Sequence, residues 1–400
     1  MKKIFIYAYN LELGGIERSL IGLLESFDKD EYLVDLFLAK QEGELLGDIP
    51  ENVNLLPIER RYQAFGIPIK NAIKEGFIYE SAMRIIAKAI NKALRFLKKD
   101  STIAIESFIY HKFIISRMKE QRHEYDMAVS FAMPYFYVLN KVRAKVRIGF
   151  IHTDYSRINI NFKFIRKMFD RIDYIASVSE SVRKALLNSI IIDSKKTLVV
   201  ENIMPMKSIG RSANDSQHDM PDDGSVRILS IGRFGEAKNF DNVPLICKRI
   251  VENGLNVKWY LIGFGNGESL IRQRIEESKM ENRVIVLGKR ENPYSYISDC
   301  DLYVQPSRYE GKAVTVREAQ MLGKPVIITD FPTSKSQLKD GFDGLIVPLD
   351  NDKCADAISA LLLDCELMNR LSENCRNNDY TNSNEVQKLY KILNNLNDGK

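Results

Sequence analysis

The chain has 400 residues, 45% of them hydrophobic and 28% charged, which exceeds one ordinary domain and excludes a disordered chain. No run of eighteen apolar residues occurs, so no helix is expected to span a bilayer. The net charge of +5 is uneven: residues 1–205 carry 32 Lys+Arg against 25 Asp+Glu (+7), and the rest 26 against 28 (−2). A basic first half suits an anionic ligand or surface and is too weak a bias for a nucleic-acid binder.

In chain order, Met1–Tyr9 has an apolar run too brief for a secretory leader and no small-residue cleavage site, so it reads as a first strand. Strands are expected at Lys3–Ala8, Tyr32–Ala39, Asp126–Phe131, Val146–His152, Tyr174–Val178 and Thr197–Val200, with helices at Ile16–Phe27, Ser81–Lys99 and Ser179–Asn188. Residues 207–225 are polar and rich in turn formers and mark a linker. The alternation then restarts. Strands are expected at Arg227–Ile231, Lys258–Ile262, Arg283–Leu287, Leu302–Gln305, Val326–Thr329 and Leu345–Val347, with helices at Asn242–Glu252, Glu268–Ser278 and Val314–Leu322. The expected architecture is α/β: two Rossmann-like, doubly wound domains facing across a cleft, the default ligand site. The boundaries are 1–205, a linker at 206–225, a second domain at 226–380, and a C-terminal helix at 381–400 packing back on the first domain. Cys247, Cys300, Cys354, Cys365 and Cys375 are scattered, odd in number and without C-x-x-C spacing. That pattern argues against disulfides or a zinc cluster and for a reducing, cytoplasmic setting.

The richest constellation is Tyr309-Glu310-Gly311-Lys312-Ala313-Val314-Thr315-Val316-Arg317-Glu318. It follows the strand ending at Gln305, so Glu310 falls on a strand-to-helix loop and Glu318 on the helix. Gly311 admits close backbone approach, and the helix start offers N–H groups to an anion or a hydroxyl. Two carboxylates can accept from sugar and ribose hydroxyls, although an isolated E-x7-E is usually a pair of surface glutamates. Upstream, Arg233 and Lys238 stand just past another strand. Two cations there can clamp a diphosphate, each charge-assisted bond being worth roughly 1.5–3 kcal/mol.

With these pieces assembled, the chain resembles the large family of retaining GT-B glycosyltransferases numbered four. The resemblance covers roughly residues 1–350. It rests on Gly14-Gly15-Ile16-Glu17-Arg18, His152-Thr153-Asp154, Ser177-Val178-Ser179, Glu201-Asn202-Ile203, Gly232-Arg233-Phe234 with Lys238-Asn239, Gly263-Phe264-Gly265, Glu310-Gly311 with Glu318-Ala319, and Gly323-Lys324-Pro325-Val326-Ile327. Each piece is weak alone, and the ordered series is specific. The resemblance implies a nucleotide-sugar-binding second domain and an acceptor-side first domain. It implies that Arg233 and Lys238 bind the donor diphosphate, Glu310 the transferred sugar, Glu318 the ribose, and Gly311, Lys312, Ala313, Val314 and Thr315 sugar and phosphate. It further implies that Gly14 and Gly15 close on the phosphates, that the base rests near Lys289-Arg290 and that His152 lies beside the sugar, and Gly263 is expected to turn tightly toward the phosphates. Many relatives have Phe-Gly-Leu where this chain has Lys312-Ala313-Val314, which leaves donor identity open.

Other signals are weaker. Asp299-Cys300-Asp301 spells the D-x-D of metal-dependent transferases but sits where the family has a structural Asp, so no metal and no cofactor beyond the sugar nucleotide are expected. Gly263-Phe264-Gly265-Asn266-Gly267 misses the last glycine of a dinucleotide fingerprint because position 268 is Glu, and no P-loop motif occurs. His111, His123 and His218 lack ligand spacing and read as surface groups. The expected activity is transfer, with retention, of a hexosyl or N-acetylhexosaminyl unit from a UDP-sugar to a saccharide, often lipid-linked, in bacterial surface polysaccharide synthesis such as capsule. The alternatives are a nucleotide-sugar epimerase or an inactive nucleotide-sugar-binding subunit. On the Ser81–Lys99 helix, Arg84, Lys88, Lys92, Arg95 and Lys99 share one face and Ile86, Ile90, Ala93, Leu94 and Leu97 the opposite one. The expectation is a cationic face on an anionic membrane surface, with the apolar face packed on the sheet.

Overall fold

Both faces of the first strand, β1 (Lys2–Ala8), are buried: Ile4, Ile6 and Ala8 enter one apolar cluster, Phe5 and Tyr7 another. A strand hidden on both sides needs helices above and below it, which is the condition of a parallel sheet. The computed structural model describes residues 1–12, 14–65, 67–96, 103–152, 162–190, 192–214, 218–310 and 313–398. The chain divides into two units, Met1–Pro205 with Asn382–Lys400, and Met206–Thr381.

In the first unit, β1 is followed by β2 (Tyr32–Leu38), β3 (Val53–Leu55), β4 (Glu124–Ser130), β5 (Arg143–Ile151), β6 (Tyr174–Ser177) and β7 (Thr197–Val199), in the order β3-β2-β1-β4-β5-β6-β7. All neighbours are parallel. One face carries an aromatic cluster in which the Phe37 and Tyr137 rings stack 4.5 Å apart, with Phe5 edge-on to Tyr125. The other face is covered by helices Gly15–Ser26 and Val386–Asp398; from the latter, Val386, Leu389, Tyr390, Ile392 and Leu393 join the core. Tyr390 stacks on Tyr32 with centroids 4.4 Å apart, and its hydroxyl accepts from the Asp28 N–H at 3.0 Å.

The second unit holds β8 (Val226–Ile231), β9 (Val257–Ile262), β10 (Val284–Gly288), β11 (Leu302–Gln305), β12 (Val326–Thr329) and β13 (Leu345–Val347), in the order β10-β9-β8-β11-β12-β13, again all parallel. Strand order reverses once in each sheet, at β1/β4 and at β8/β11. The loops leaving those strands diverge to opposite faces and open a crevice at the carboxyl ends.

Several segments depart from expectation. Residues 206–225 are not simply a linker, because Met206–Ala213 is helical and belongs to the second unit. Asp219 then accepts from Arg290 at 2.5 Å and Tyr296 at 2.6 Å, and His218 contacts Asp299 at 3.1 Å. The edge strand Val53–Leu55 is too short to show a period of two. Helix Ile103–Ser116 is apolar nearly all round and so shows no amphipathic stripe.

The helix expected at Ser81–Lys99 runs Ile78–Phe96 and turns inward the face of Ser81, Arg84, Ala87 and Asn91, leaving Lys88 and Lys92 exposed. Ser81, Ala87 and Asn91 are buried, and Arg84 reaches in to donate to the carbonyls of Ala64 and Ile67. Ile85, Ile86 and Ile90 are 54%, 40% and 37% exposed. Small side chains on the Arg84 face allow close approach to the layer beneath, which the branched Ile face would not. Residues 97–100, and the side chains of residues 94–96, lie outside the described set.

His111 is buried rather than at the surface, its Nδ1 bonded to the Ser107 carbonyl at 2.7 Å. His152 bonds the Phe131 carbonyl through Nε2, also at 2.7 Å. Burial pushes each imidazole down from 6.5 to about 4. In the unfolded chain both take a proton near 6.5, but in the folded chain only near 4. Their contribution is therefore intact above pH 6.5 and lost as pH falls from 6.5 to 4, on the order of 3 kcal/mol for each. Urea unfolding midpoints should fall across that window. In a His111→Gln/His152→Gln double variant the fall should be markedly shallower, and equal slopes would refute the assignment.

Candidate functional site

The β8/β11 reversal of the second unit gathers most of the residues singled out above. After β8 the chain passes Gly232 and Arg233, then a short 3-10 turn, Glu236–Lys238, ending at Asn239 in the left-handed region (φ 59°). A Cβ on Gly232 would stand 2.9 Å from the Lys238 Cε, so the glycine lets the lysine stem lie across it. Gly263, at φ +152°, packs so closely that a Cβ would fall 1.9 Å from the Gly232 carbonyl oxygen. No other residue fits there without moving the Arg233 loop.

After β11 a chain of hydrogen bonds runs out of the core. The Tyr303 hydroxyl donates to Gln305 Oε1 (2.9 Å), Gln305 Nε2 to Ser307 Oγ (3.0 Å), and Ser307 Oγ to Glu310 Oε1 (2.6 Å). Lys238 Nζ donates to the same Glu310 oxygen at 2.5 Å. The Glu310 side chain is only 10% exposed. Both donors land on Oε1, and among the described residues Oε2 receives none. Hydrogen bonds of this length in a partly dry site hold the carboxylate in place, with one oxygen left to accept from a ligand hydroxyl. Thr333 Oγ1 pins the Glu310 carbonyl at 2.8 Å.

Glu318 is fully buried one turn into helix Val314–Met321 and accepts from the Tyr294 hydroxyl at 3.0 Å. Val314 and Thr315 occupy that helix's first turn, with the Thr315 hydroxyl 3.3 Å from Gln305 Oε1. The Ala313 N–H is already committed to Gln337 Oε1 at 2.8 Å, and Gln337 Nε2 continues to Thr333 at 3.0 Å. Gln337 has no motif around it and was invisible in the sequence; only the return of the chain after β12 brings it here. Gly311 and Lys312 lie outside the described residues.

Arg233 is exposed, its guanidinium 5.9 Å from the Phe264 ring centroid, and no ion pair holds it among the described residues. Arg290 is not so placed. Its guanidinium is spent on Asp219, the Tyr296 hydroxyl (2.7 Å) and the Leu287 carbonyl (2.6 Å), so it ties the 218–220 segment down. Asp299 is paired with Arg227 and His218, and Asp301 accepts the Arg227 N–H at 2.7 Å.

Gly14, Gly15 and His152 belong to the first unit. Gly14 precedes helix Gly15–Ser26, and the Glu17 carboxylate folds over it: a Cβ on Gly14 would meet Glu17 Oε2 at 2.2 Å. Burial raises the Glu17 carboxyl above its usual range. Nothing lies within 4 Å of a Cβ on Gly15. His152 follows β5 with Nε2 committed to Phe131, so the imidazole is neutral at pH 7 and its remaining polar atom, Nδ1, is an acceptor. Thr153 and Asp154 lie outside the described residues.

Residues 213–378 match the sequence family described as "Glycosyl transferases group 1". Among curated proteins, an Escherichia coli UDP-Gal:alpha-D-GlcNAc-diphosphoundecaprenol alpha-1,3-galactosyltransferase is 28% identical over 40% of this chain and 43% of its own length. A Campylobacter jejuni N-acetylgalactosamine-N,N'-diacetylbacillosaminyl-diphospho-undecaprenol 4-alpha-N-acetylgalactosaminyltransferase is 23% identical over 88% of this chain and 87% of its own. The chain thus matches less than half the length of the first and most of the second. Among solved structures, Staphylococcus aureus TarM in complex with fondaparinux, alpha-GlcNAc-glycerol and UDP superposes with a TM-score of 0.65 at 15% identity, covering 98% of this chain and all of that one. Anabaena HepE in complex with UDP gives 0.60 at 15% identity, covering 99% and all of that chain. At such identity the structural likeness speaks for the fold alone. The two parallel-sheet units thus have the GT-B fold of these structures, and residues 213–378 match the group 1 glycosyl transferases.

Proposed function

We propose that the chain transfers a hexosyl or N-acetylhexosaminyl unit from a UDP-sugar to a saccharide acceptor carried on a lipid or polymer, with retention and without a metal ion, in bacterial surface polysaccharide synthesis. The observation that carries this reading is the meeting of Lys238 and Glu310 at the β8/β11 reversal, with Arg233 on the same loop and the Val314 helix start behind Glu310. Cations suited to a diphosphate and a half-occupied carboxylate suited to a sugar hydroxyl then share one site. The acceptor class follows the names of the relatives, two of which specify undecaprenol diphosphates.

In this mechanism the acceptor hydroxyl forms a bond to the anomeric carbon as the bond to the diphosphate breaks. The leaving phosphate takes the acceptor proton, while Arg233, Lys238 and the helix start stabilise its growing charge. A neutral His152, one nitrogen spent on Phe131, is suited to accept a hydrogen bond and not to supply a proton. The occupation of Asp299 and Asp301 by Arg227 and His218 supports a metal-free reading. Incubation with a panel of nucleotide sugars and a lipid-linked acceptor in excess EDTA should yield glycosylated product. Donor isomerisation without acceptor would favour an epimerase, and loss restored by manganese or magnesium would overturn metal independence.

Variants separate the roles. Arg233→Ala and Lys238→Ala should each lower transfer at least tenfold and weaken UDP binding, with the fold intact, since these are loop positions. Glu310→Gln should depress kcat severely, whereas Glu318→Gln should act mainly on donor KM. Unchanged UDP affinity in both alanine variants, or the reverse pattern for the glutamates, would show that the motif is out of register with the donor.

We further propose peripheral membrane docking, with the surface inverted from the sequence expectation. No described helix is long and apolar enough to cross a membrane. Ile73 (48% exposed), Ile78 (69%), Ile85, Ile86 and Ile90 instead present an apolar stripe flanked by exposed Lys70, Lys74, Lys88 and Lys92. Branched apolar side chains for the acyl boundary and lysines for anionic headgroups form an interfacial surface. Vesicles containing anionic lipid should sediment the protein at low salt. An Ile85→Ser/Ile86→Ser/Ile90→Ser variant should stay in solution, and pelleting equal to that with neutral vesicles would refute the idea.

A further inference from the structure

The first sheet has its own crevice, at the β1/β4 reversal, and none of the donor residues enters it. Tyr7 and Tyr9 at the end of β1, with Ala132–Pro134 after β4, bound a cavity of about 380 Å³, within the range of small-ligand sites. Phe65, Arg84, Tyr110 and His111 complete its wall.

Two features of that wall are not explained by folding alone. Tyr110 is 6% exposed, yet among the described residues its hydroxyl has no hydrogen-bond partner. A buried hydroxyl left unmet is destabilising, and a partner delivered by a ligand would satisfy it. Burial raises its phenol well above the ordinary value, which keeps it a donor. The second feature is Arg84. Its Nη1 is anchored on the Ala64 and Ile67 carbonyls and its guanidinium lies 5.9 Å from the Tyr110 ring centroid. No carboxylate pairs with it among the described residues, and Nε and Nη2 have no acceptor there. A guanidinium fixed at one corner with its other edge open presents a fork for a carboxylate or phosphate. Glu106 also lines the cavity and offers acceptors to hydroxyl groups.

We infer that this cavity is a subsite for an anionic sugar: a pyranose lying against the tyrosine walls, with an adjoining phosphate or carboxylate held by Arg84 and a donor bond from Tyr110. The inference rests on the glycosyltransferase reading and narrows its acceptor to a saccharide that carries a negative group beside the recognised ring. Aromatic rings supply flat contact for the C–H face of a sugar, and the hydroxyls and His111 set its orientation. The neutral imidazole uses Nδ1 on Ser107, so its other nitrogen is an acceptor.

The test is calorimetric titration of the full chain with N-acetylglucosamine 1-phosphate, glucuronic acid and N-acetylglucosamine, with UDP titrated in parallel. Wild type should bind at least one anionic sugar at least tenfold more tightly than the neutral one, and the tighter of the two names the anion. Arg84→Met keeps the apolar stem and should abolish that preference while leaving the neutral sugar and UDP unchanged. Because Arg84 also holds the carbonyls of Ala64 and Ile67, Tyr110→Phe serves as a second, near-isosteric variant. It should weaken sugar binding severalfold without lowering the melting temperature, an outcome that a purely structural tyrosine would not give. Equal affinities for anionic and neutral sugars in wild type, or wild-type affinities in both variants, would overturn the assignment. Failure of wild type to bind UDP would count against the donor site alone and leave the sugar titrations to decide the cavity.

Discussion

A parallel strand cannot be paired by a hairpin; the chain must first cross back over the sheet, and both faces end up covered by what crosses. Each unit of this protein obeys that constraint, and its chemistry follows from it. Loops carrying polar side chains can leave the sheet only at strand ends. The single point in each sheet where the order reverses is where two such loops part and leave room. In the second unit these are the loops after β8 and β11, which bring Lys238 to Glu310 although 72 positions separate them. In the first, the same geometry places the Tyr9 and Ala132 segments around a cavity.

The Lys238–Glu310 contact is the outer end of a rigid polar line. Tyr303, Gln305 and Ser307 alternate along β11 and its extension on one face, each handing a hydrogen bond to the next. Such a line inside a core is tolerated only when every member is satisfied. Its reward is position: the carboxylate is held from beneath by Ser307 and from the side by Lys238, so little reorganisation remains when a ligand arrives. Gln337 and Thr333 do the same for the backbone around Glu310 and Ala313.

The Ile78–Phe96 helix shows how packing overrides patterning. Its sequence separates cationic and apolar faces, and the ordinary rule buries the apolar one. Here the small residues Ser81, Ala87 and Asn91 lie on the Arg84 side, and close approach together with Arg84's backbone contacts wins over the isoleucines. The exposed stripe that results is the observation on which the proposed membrane docking rests.

Much of this was legible in the sequence alone. Local periodicity located all but one of the thirteen strands among the described residues, the exception being the three-residue edge at Val53–Leu55, and the motif residues Arg233, Lys238, Glu310 and Glu318 fell at strand ends and on a helix as their spacing required. Gly263 was identifiable as a tight turn because a glycine after a strand is itself a backbone statement. What only the tertiary structure decided were matters of partnership. They include the sharing of Glu310 Oε1 by Lys238 and Ser307, the spending of Arg290 on Asp219, the capture of the Ala313 N–H by Gln337, and the inward turn of Arg84. The physical reason is range. Strand and helix patterns are set by neighbours two to four positions apart, whereas a hydrogen bond between residues far apart in the chain is settled only once the whole sheet has brought them within 3 Å.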